Sequence, residues 1–222
     1  MNPRAKQLLE EIRQEAADTV GYTGRASFDA RVMRALGEIP REQFVPPELR
    51  EAAYYNGPLP IGHGQTISQP YIVALMTDLV ELNPDSIVLE VGTGSGYQAA
   101  VLARLAKQVY SLEYVPALAE QARSVLHRLG YDNVEVRCEN GYRGWAEKGP
   151  FDAIVVTAAA PHVPPALVEQ LKPGGRMAIP VGRPHLHQEL LLVTKAPEGT
   201  TQTRNVLPVA FVPLIVDHDP DS

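Results

Sequence analysis

The stretch that decides the fold is Val88-Leu89-Glu90-Val91-Gly92-Thr93-Gly94-Ser95-Gly96-Tyr97. An apolar run typical of a buried strand leads into three alternate glycines, and a helical pattern follows. Glycine adopts positive φ and lets a ligand approach the backbone closely. In a doubly wound sheet such a loop lies at the carboxyl end of the first strand, where ligands of these folds bind. The stretch therefore predicts a Rossmann-like α/β fold with a nucleotide-type ligand on the glycine loop.

The charges around this loop favour one class of ligand. Glu113 lies about 20 residues further on, at the end of the second predicted strand, where a carboxylate accepts hydrogen bonds from both ribose hydroxyls. Dinucleotide folds prefer G-x-G-x-x-G, but here the third glycine comes one position early and Tyr97 takes its place. Glu90 would repel a pyrophosphate and suits a cation. The pattern favours S-adenosylmethionine over NAD, and a tight turn without any ligand is the alternative.

Outward from the glycine loop, short apolar runs alternate with helical patterns. Strands are predicted at residues 87–89, 109–112, 134–136, 151–156, 177–179, 190–193 and 209–212. Helices are predicted at residues 97–106, 116–129 and about 166–172. This alternation predicts a doubly wound, mostly parallel seven-stranded sheet with helices on both faces. The last two strands would form an antiparallel pair around the turn at 197–199.

The remaining segments are predicted to cap this core. Residues 1–50 form an N-terminal helical cap, because apolar side chains recur at helical spacing. Residues 51–82 hold a Gly- and Pro-rich loop followed by a helix from Tyr71 to Leu82, with Ser68 as its N-cap. Residues 83–216 form the ligand-binding core, and the polar residues 217–222 form a frayed tail.

The composition excludes several classes of protein. The chain has 222 residues, of which 45% are hydrophobic, so we expect a globular protein and neither a disordered chain nor a coiled coil. Its 20 basic and 26 acidic residues give a net charge of −6, so no nucleic-acid partner is expected. With the single cysteine Cys138, an intramolecular disulfide and a zinc site built from several thiolates are excluded. We expect a cytoplasmic protein without a metal or a membrane span.

A second distinctive motif, residues 59–70, reads Leu-Pro-Ile-Gly-His-Gly-Gln-Thr-Ile-Ser-Gln-Pro. On this motif and the glycine loop, the sequence resembles the protein-L-isoaspartate O-methyltransferases, a family of class I S-adenosylmethionine-dependent methyltransferases. The resemblance runs from about Phe28 to Leu214. Further matching segments are residues 40–46, 151–154, 158–161, 171–175 and 211–214.

The resemblance implies an activity in protein repair. Enzymes of this family transfer the methyl group of S-adenosyl-L-methionine to the free α-carboxylate of an L-isoaspartyl residue and release S-adenosyl-L-homocysteine. The ester re-closes to a succinimide, whose hydrolysis returns some normal aspartate. The implied partners are damaged, isoaspartyl-containing proteins and peptides, and we expect the enzyme to act as a monomer.

The resemblance also implies roles for individual residues. Ser68 matches the catalytic serine, and the substrate-binding residues would be Thr66, Ser68 and His63. The cofactor-binding residues would be Ile67, Glu90, Gly92, Thr93, Gly94, Glu113, Asn140 and Gly141. The chain departs from the family pattern at Asn140, where an aspartate is usual, and at Ala210, where many relatives carry a basic residue. An asparagine carbonyl still accepts one hydrogen bond from the adenine amino group.

Such a reaction requires little acid–base chemistry. A carboxylate with a pKa near 4 is already ionised at neutral pH, so neither a general base nor a metal is needed. We predict that Ser68 and the free N–H groups of the helix it opens cradle this carboxylate. Three alternatives remain open: methylation of a small molecule or of another protein carboxylate, a non-catalytic adenosine-binding module, and a nicotinamide oxidoreductase. His185 and His187 are interpreted as exposed polar residues and not as metal ligands.

Overall fold

The computed structural model describes residues 2–183 and 186–215. The α-helices are α1 (Pro3–Asp18), α2 (Val20–Thr23), α3 (Ala30–Glu38), α4 (Pro70–Leu79), α5 (Tyr97–Ala103), α6 (Pro116–Arg128) and α7 (Pro165–Gln170). The strands are β1 (Leu59–Gly62), β2 (Gln65–Ile67), β3 (Ile87–Val91), β4 (Gln108–Glu113), β5 (Val134–Cys138), β6 (Phe151–Val156), β7 (Leu171–Gly182), β8 (Gln188–Lys195) and β9 (Thr201–Val209).

The predicted doubly wound sheet is confirmed. Seven strands pair in the order β5-β4-β3-β6-β7-β8-β9, and the first five of these are parallel to one another. Strands β8 and β9 are antiparallel, and a turn at residues 197–199 connects them as predicted. The chain runs outward from β3 to β5 and then returns to β6 on the other side of β3. The carboxyl ends of β3, β4 and β6 therefore border the crevice in which ligands of such sheets bind.

Both faces of the central strands are buried, which explains their continuous apolar runs. In β3, Val88 packs with α4, α5 and α6, while Leu89 packs on the opposite face with Trp145 and Leu167. Side chains alternate between the two faces because successive residues of a strand point in opposite directions. Trp145, only 5% exposed, thus belongs to the hydrophobic core.

The N-terminal helices pack on the same core as α4 and α5. Helix α1 begins with Asn2, whose side chain accepts the N–H of Arg4 at 3.0 Å. Its buried face, which includes Leu8 and Ile12, lies against α3 and α4. This packing brings the N-terminal segment next to the motif at residues 59–70.

Four segments differ from the sequence prediction. The last strand covers Thr201–Val209 instead of 209–212, because polar, exposed side chains are tolerated on an edge strand. Residues 211–214 leave the sheet, and Leu214 N–H donates to the Ala159 carbonyl at 2.8 Å. The predicted loop before α4 contains the β1–β2 hairpin. Helix α7 ends before Leu171, and residues 172–175, predicted to end that helix, lie within β7.

No helix in the described ranges 2–183 and 186–215 combines the length and the apolar character needed to cross a bilayer. The predicted tail at 217–222 and His185 lie outside these ranges. His187 is exposed and lies 2.6 Å from the Glu189 carboxylate.

Candidate active site

The glycine loop that follows β3 has a backbone only glycine adopts easily. Gly92 and Gly94 have φ angles of 98° and 52°. A Cβ on Gly92 would lie 2.4 Å from the Thr157 hydroxyl oxygen, which donates to the Gly92 carbonyl at 2.5 Å. Because this hydroxyl belongs to the residue just after β6, the loop is tied to the neighbouring strand.

Glu113, the last residue of β4, fastens the other side of this loop. Its carboxylate accepts the Gly94 N–H at 2.7 Å and the Val115 N–H at 2.9 Å. Each carboxylate oxygen has two lone pairs, so acceptor capacity remains on both. Glu113 is 6% exposed and borders the cavity described below.

Glu90 lies beneath the glycine loop and does not line the cavity. It is fully buried and accepts a hydrogen bond from the Ser111 hydroxyl, which also lies 2.5 Å from the Thr93 hydroxyl. Burial raises the pKa of Glu90 to about 8, and the nearby charge of Glu113 contributes to the rise. Its side chain supports the loop from below, and the predicted contact between Glu90 and a cationic ligand stays a prediction.

One cavity lies between the glycine loop, the segment after β2 and residues 212–215. Glu113 is the only charged side chain among the described residues that line it. The predicted site residues brought together here are Thr66, Ile67, Ser68, Gly92, Thr93, Gly94, Glu113 and Gly141. The remaining lining residues are Gln65, Val73, Val91, Ser95, Tyr97, Gln98, Leu112, Tyr114, Thr157, Ala158, Val212, Pro213, Leu214 and Ile215.

The β1–β2 hairpin closes over the glycine loop and brings Ser68 to the cavity. The Cδ1 atom of Ile61 lies 3.4 Å from the position of a Cβ on Gly94. Within the described residues, the Ser68 hydroxyl forms no hydrogen bond, so it is left to a ligand.

The predicted cradle at the start of α4 is wrong. Gln69, with extended backbone, is the N-cap of α4, and Ser68 precedes it. Pro70 has no N–H, and the Tyr71 N–H donates to the Asn56 side chain at 3.1 Å. The first turn of α4 therefore has about one free N–H group to donate to an anion. The hydrogen-bond donor must come from the Ser68 hydroxyl itself.

Arg41, a residue to which no sequence pattern assigns a role, lies directly beneath Ser68. Its guanidinium is fully buried and donates to the carbonyls of Ser68 at 2.9 Å and Ala53 at 2.8 Å. It also stacks 4.6 Å from the centre of the Tyr97 ring. Burial lowers the pKa of Arg41. The only signal in the sequence was its place in the motif at residues 40–46, which does not show what it contacts.

Asn140 and His63 do not line the cavity, whereas Gly141, which follows Asn140, does. A Cβ on Gly141 would lie 2.4 Å from Val91 Cγ1, so a side chain there would displace the end of β3. Asn140 does not line the cavity, and its Oδ1 accepts the Tyr142 N–H at 3.0 Å. His63 is exposed at the tip of the hairpin with φ 54°.

The residues of this cavity fit S-adenosyl-L-methionine. The Glu113 carboxylate can accept hydrogen bonds from ribose hydroxyls, and its negative charge suits a cationic ligand. The glycines beside it leave room for the ligand to lie against the backbone. None of the described lining residues carries the positive charge that a pyrophosphate requires. The described residues also contain no group of three or more potential metal ligands.

Comparison with known proteins shows the family. Residues 13–219 match the family model of protein-L-isoaspartate(D-aspartate) O-methyltransferase. The protein-L-isoaspartate O-methyltransferase 2 of Syntrophobacter fumaroxidans is 59% identical over 215 residues, covering 97% of this chain and 87% of the relative. The enzyme of the same name from a Polaromonas species is 58% identical over 207 residues, covering 93% and 98%.

Solved structures agree with this result. A protein-L-isoaspartate O-methyltransferase superposes with a TM-score of 0.80 at 30% identity, covering 94% of this chain and 65% of that longer chain. A candidate enzyme of this kind from Plasmodium falciparum, in complex with S-adenosyl-L-homocysteine, superposes with a TM-score of 0.77 at 28% identity, covering 95% and 97%. This chain therefore belongs to the protein-L-isoaspartate(D-aspartate) O-methyltransferase family.

Proposed function

We propose that this enzyme methylates the free α-carboxylate of L-isoaspartyl residues in damaged proteins and peptides, with S-adenosyl-L-methionine as donor and S-adenosyl-L-homocysteine as product. Within the structure, one observation carries this proposal. Glu113, the only charged side chain among the described lining residues, shares its cavity with Ser68, whose hydroxyl has no partner within the described residues. A site for a cationic nucleoside thus adjoins a hydrogen-bond donor for an anion.

The residues that would hold the cofactor are those around the glycine loop. Glu113 would accept hydrogen bonds from the ribose hydroxyls, while Gly92, Thr93 and Gly94 would let the ligand lie against the backbone. Gly141 and Ile67 would border the remainder of the nucleoside. When bound, S-adenosyl-L-methionine supplies a methyl group made electrophilic by its sulfonium.

Two predicted cofactor residues take modified roles in this proposal. Glu90 would act by holding the glycine loop from below, since its side chain is buried away from the cavity. Asn140 would act through the turn it caps, which positions Gly141 at the cavity.

Ser68 would orient the acceptor. A carboxylate that leaves water loses favourable hydration, and a hydroxyl donor to one oxygen compensates part of that loss. Because this carboxylate is ionised at neutral pH, the chain has to orient it and exclude water, and no proton has to move. Thr66 would supply a second hydroxyl, and His63, exposed on the hairpin tip, would meet the substrate outside the cavity.

The cellular setting is part of the same proposal. A single copy would carry the whole site, since every residue named above belongs to one chain. The net charge of −6 supports solubility and gives no reason to expect a nucleic-acid partner. We therefore propose a monomer that acts in the cytoplasm, and size-exclusion chromatography with light scattering tests the oligomeric state.

The decisive experiment is transfer of labelled methyl groups to a peptide that contains one L-isoaspartyl residue, with its normal aspartyl twin as the control. We expect base-labile label on the first peptide and only background on the second. Equal labelling of both would favour another carboxylate acceptor. Binding of S-adenosyl-L-homocysteine without any transfer would instead indicate a non-catalytic binding module.

A further inference from the structure

A second groove begins where the active-site cavity ends. It has a volume of about 520 Å³, and Thr66 and Ser68 line both spaces. The groove runs between α1, the start of α4 and the end of β9. Its lining also includes Glu15, Gln69, Ile72, Leu207, Val209 and Phe211.

Glu15 is the only side chain of this lining that is charged at neutral pH. Its carboxylate accepts hydrogen bonds from Asn56 Nδ2 at 2.8 Å and from Gln69 Nε2 at 3.1 Å. Both donors are neutral amides, so they fix the carboxylate without cancelling its charge. Within residues 2–183 and 186–215, Glu15 has no salt-bridge partner. The groove therefore carries one fixed negative charge.

This charge lies close to the acceptor site. Gln69, which holds the Glu15 carboxylate, directly follows Ser68 in the chain. An isoaspartyl residue bound at Ser68 is part of a peptide whose neighbouring residues must leave the cavity, and this groove shares Thr66 and Ser68 with the cavity. We propose that Glu15 selects substrates by the charge of the residues flanking the isoaspartyl residue, favouring lysine or arginine over aspartate or glutamate. This proposal rests on the proposed function.

The rest of the groove suits the same occupant. Ile72, Leu207, Val209 and Phe211 provide an apolar surface. The aliphatic part of a lysine or arginine packs on such a surface while its charged end reaches a carboxylate. An acidic side chain in the same place would meet the like charge of Glu15, which is half-buried but faces the open groove. The groove thus attracts one class of flanking residue and repels the other.

The test is a peptide series with one isoaspartyl residue, in which a single Lys, Gln or Glu is moved through the three positions on each side. For the wild-type enzyme, we expect kcat/KM at one or more positions to be about fivefold higher with Lys than with Glu, the size of a modest ion pair. Glu15→Gln should reduce this ratio to nearly one at the same positions. Glu15→Lys should invert it.

Glu11→Gln is the matched control, because it removes the same charge from an exposed position of α1 outside the groove. It should keep the wild-type ratio, which separates a local effect from the net charge of the protein. An unchanged ratio in Glu15→Gln, or an equal loss in Glu11→Gln, would overturn the proposal. If the wild-type enzyme fails to methylate even the Gln-containing peptides, the proposed function itself is wrong.

Folding is checked independently of peptide selection. Glu15→Gln should bind S-adenosyl-L-homocysteine like wild type, which shows that the variant is folded, and the Lys-to-Glu ratio is compared within each variant. If Glu15→Gln does not fold, the Lys-to-Glu ratio of kcat/KM is measured in Glu15→Lys and in the wild-type enzyme at 0.5 M salt instead. Salt screens the charge of Glu15, so it should reduce the wild-type ratio about as much as removal of the charge does. A preference that is independent of salt would also contradict the proposal.

Discussion

The two sides of the candidate active site are built from different parts of the chain. The cofactor wall, residues 91–95 with Glu113 and Gly141, is held by a Gly94–Glu113 bond between residues 19 apart and a Thr157–Gly92 bond between residues 65 apart. The acceptor wall, residues 65–69 with Arg41, is joined through an Arg41–Ser68 bond between residues 27 apart and a Gln69–Glu15 bond between residues 54 apart. The first wall is held at the ends of the parallel strands, whereas the second depends on the packing of the N-terminal segment.

This difference predicts which variants should lose affinity for S-adenosyl-L-homocysteine and which should lose only the rate of methyl transfer. Changes in the cofactor wall should abolish both, because nothing reacts without the donor. Changes in the acceptor wall should reduce turnover and leave the affinity for S-adenosyl-L-homocysteine near the wild-type value.

Gly92→Ala should have the largest effect. The new Cβ would lie 2.4 Å from the Thr157 hydroxyl oxygen at a φ of 98°, so the strain and the collision together should lower the affinity for S-adenosyl-L-homocysteine by about 100-fold or more. Calorimetric titration measures this loss. Gly130→Ala is the control, since its φ of 78° brings similar strain but its Cβ has no neighbour within 4 Å. Equal affinities in the two variants would contradict the cofactor-wall assignment.

Ser68→Ala should have an intermediate effect, confined to turnover. Loss of a hydrogen bond to a charged group costs about 1.5–3 kcal/mol, which corresponds to a decrease of about 10- to 100-fold in kcat/KM. Steady-state kinetics with an isoaspartyl peptide and titration with S-adenosyl-L-homocysteine should be run side by side. The exposed Ser124→Ala serves as the control. If affinity for the product falls as much as kcat/KM, Ser68 belongs to the cofactor wall instead.

Glu90→Gln should have the smallest effect on activity and a clear effect on the pH dependence of stability. The pKa of Glu90 is raised to about 8 in the folded protein, from 4.5 when exposed. The folded state therefore retains a proton that the unfolded state releases, so wild-type stability should fall as pH rises from about 5 to 8, by at most about 1.4 kcal/mol per pH unit. Glutamine resembles the protonated form and should remove this slope.

Urea denaturation at pH 6 and pH 8 measures the difference between wild type and Glu90→Gln. The stability of the variant relative to wild type should be greater at pH 8 than at pH 6. Glu11→Gln, on the surface, should follow the wild-type curve. A constant difference between wild type and Glu90→Gln would show that Glu90 is ionised throughout this range.

The same contrast explains what the sequence could predict. The glycine loop, Glu113 and the parallel strands follow from patterns within about 20–30 residues, and such patterns report local backbone and burial well. Arg41 and Glu15 depend on tertiary packing, which no periodicity encodes. The family motif assigned Ser68 to the acceptor site, which stays a prediction, and the sequence did not give the position of Ser68 relative to α4. That relation depends on Pro70 and on the side chain of Asn56, which occupies the Tyr71 N–H.

The edge of the sheet was mispredicted for a related reason. The apolar run at 209–212 looks like a strand, yet the chain there turns away to pair with Ala159 beside the cavity. The polar run Thr201–Asn205 forms the strand instead, because one side of an edge strand is open to water. Hydropathy alone does not distinguish a strand from a segment that covers a binding site.

The buried guanidinium of Arg41 has a consequence for how this molecule could be divided or recombined. It joins the segment after α3 to Ala53 and Ser68, in the interior and without an acidic partner among the described residues. A fragment that begins after residue 50 would keep Ser68 but lose the cation beneath it. Exchange of N-terminal segments between related enzymes would replace Arg41 and Glu15, which bond to residues 68 and 69, and would leave the acceptor residues 65–69 themselves in place. The first 50 residues thus act on the acceptor site through the groups that hold its serine and glutamine.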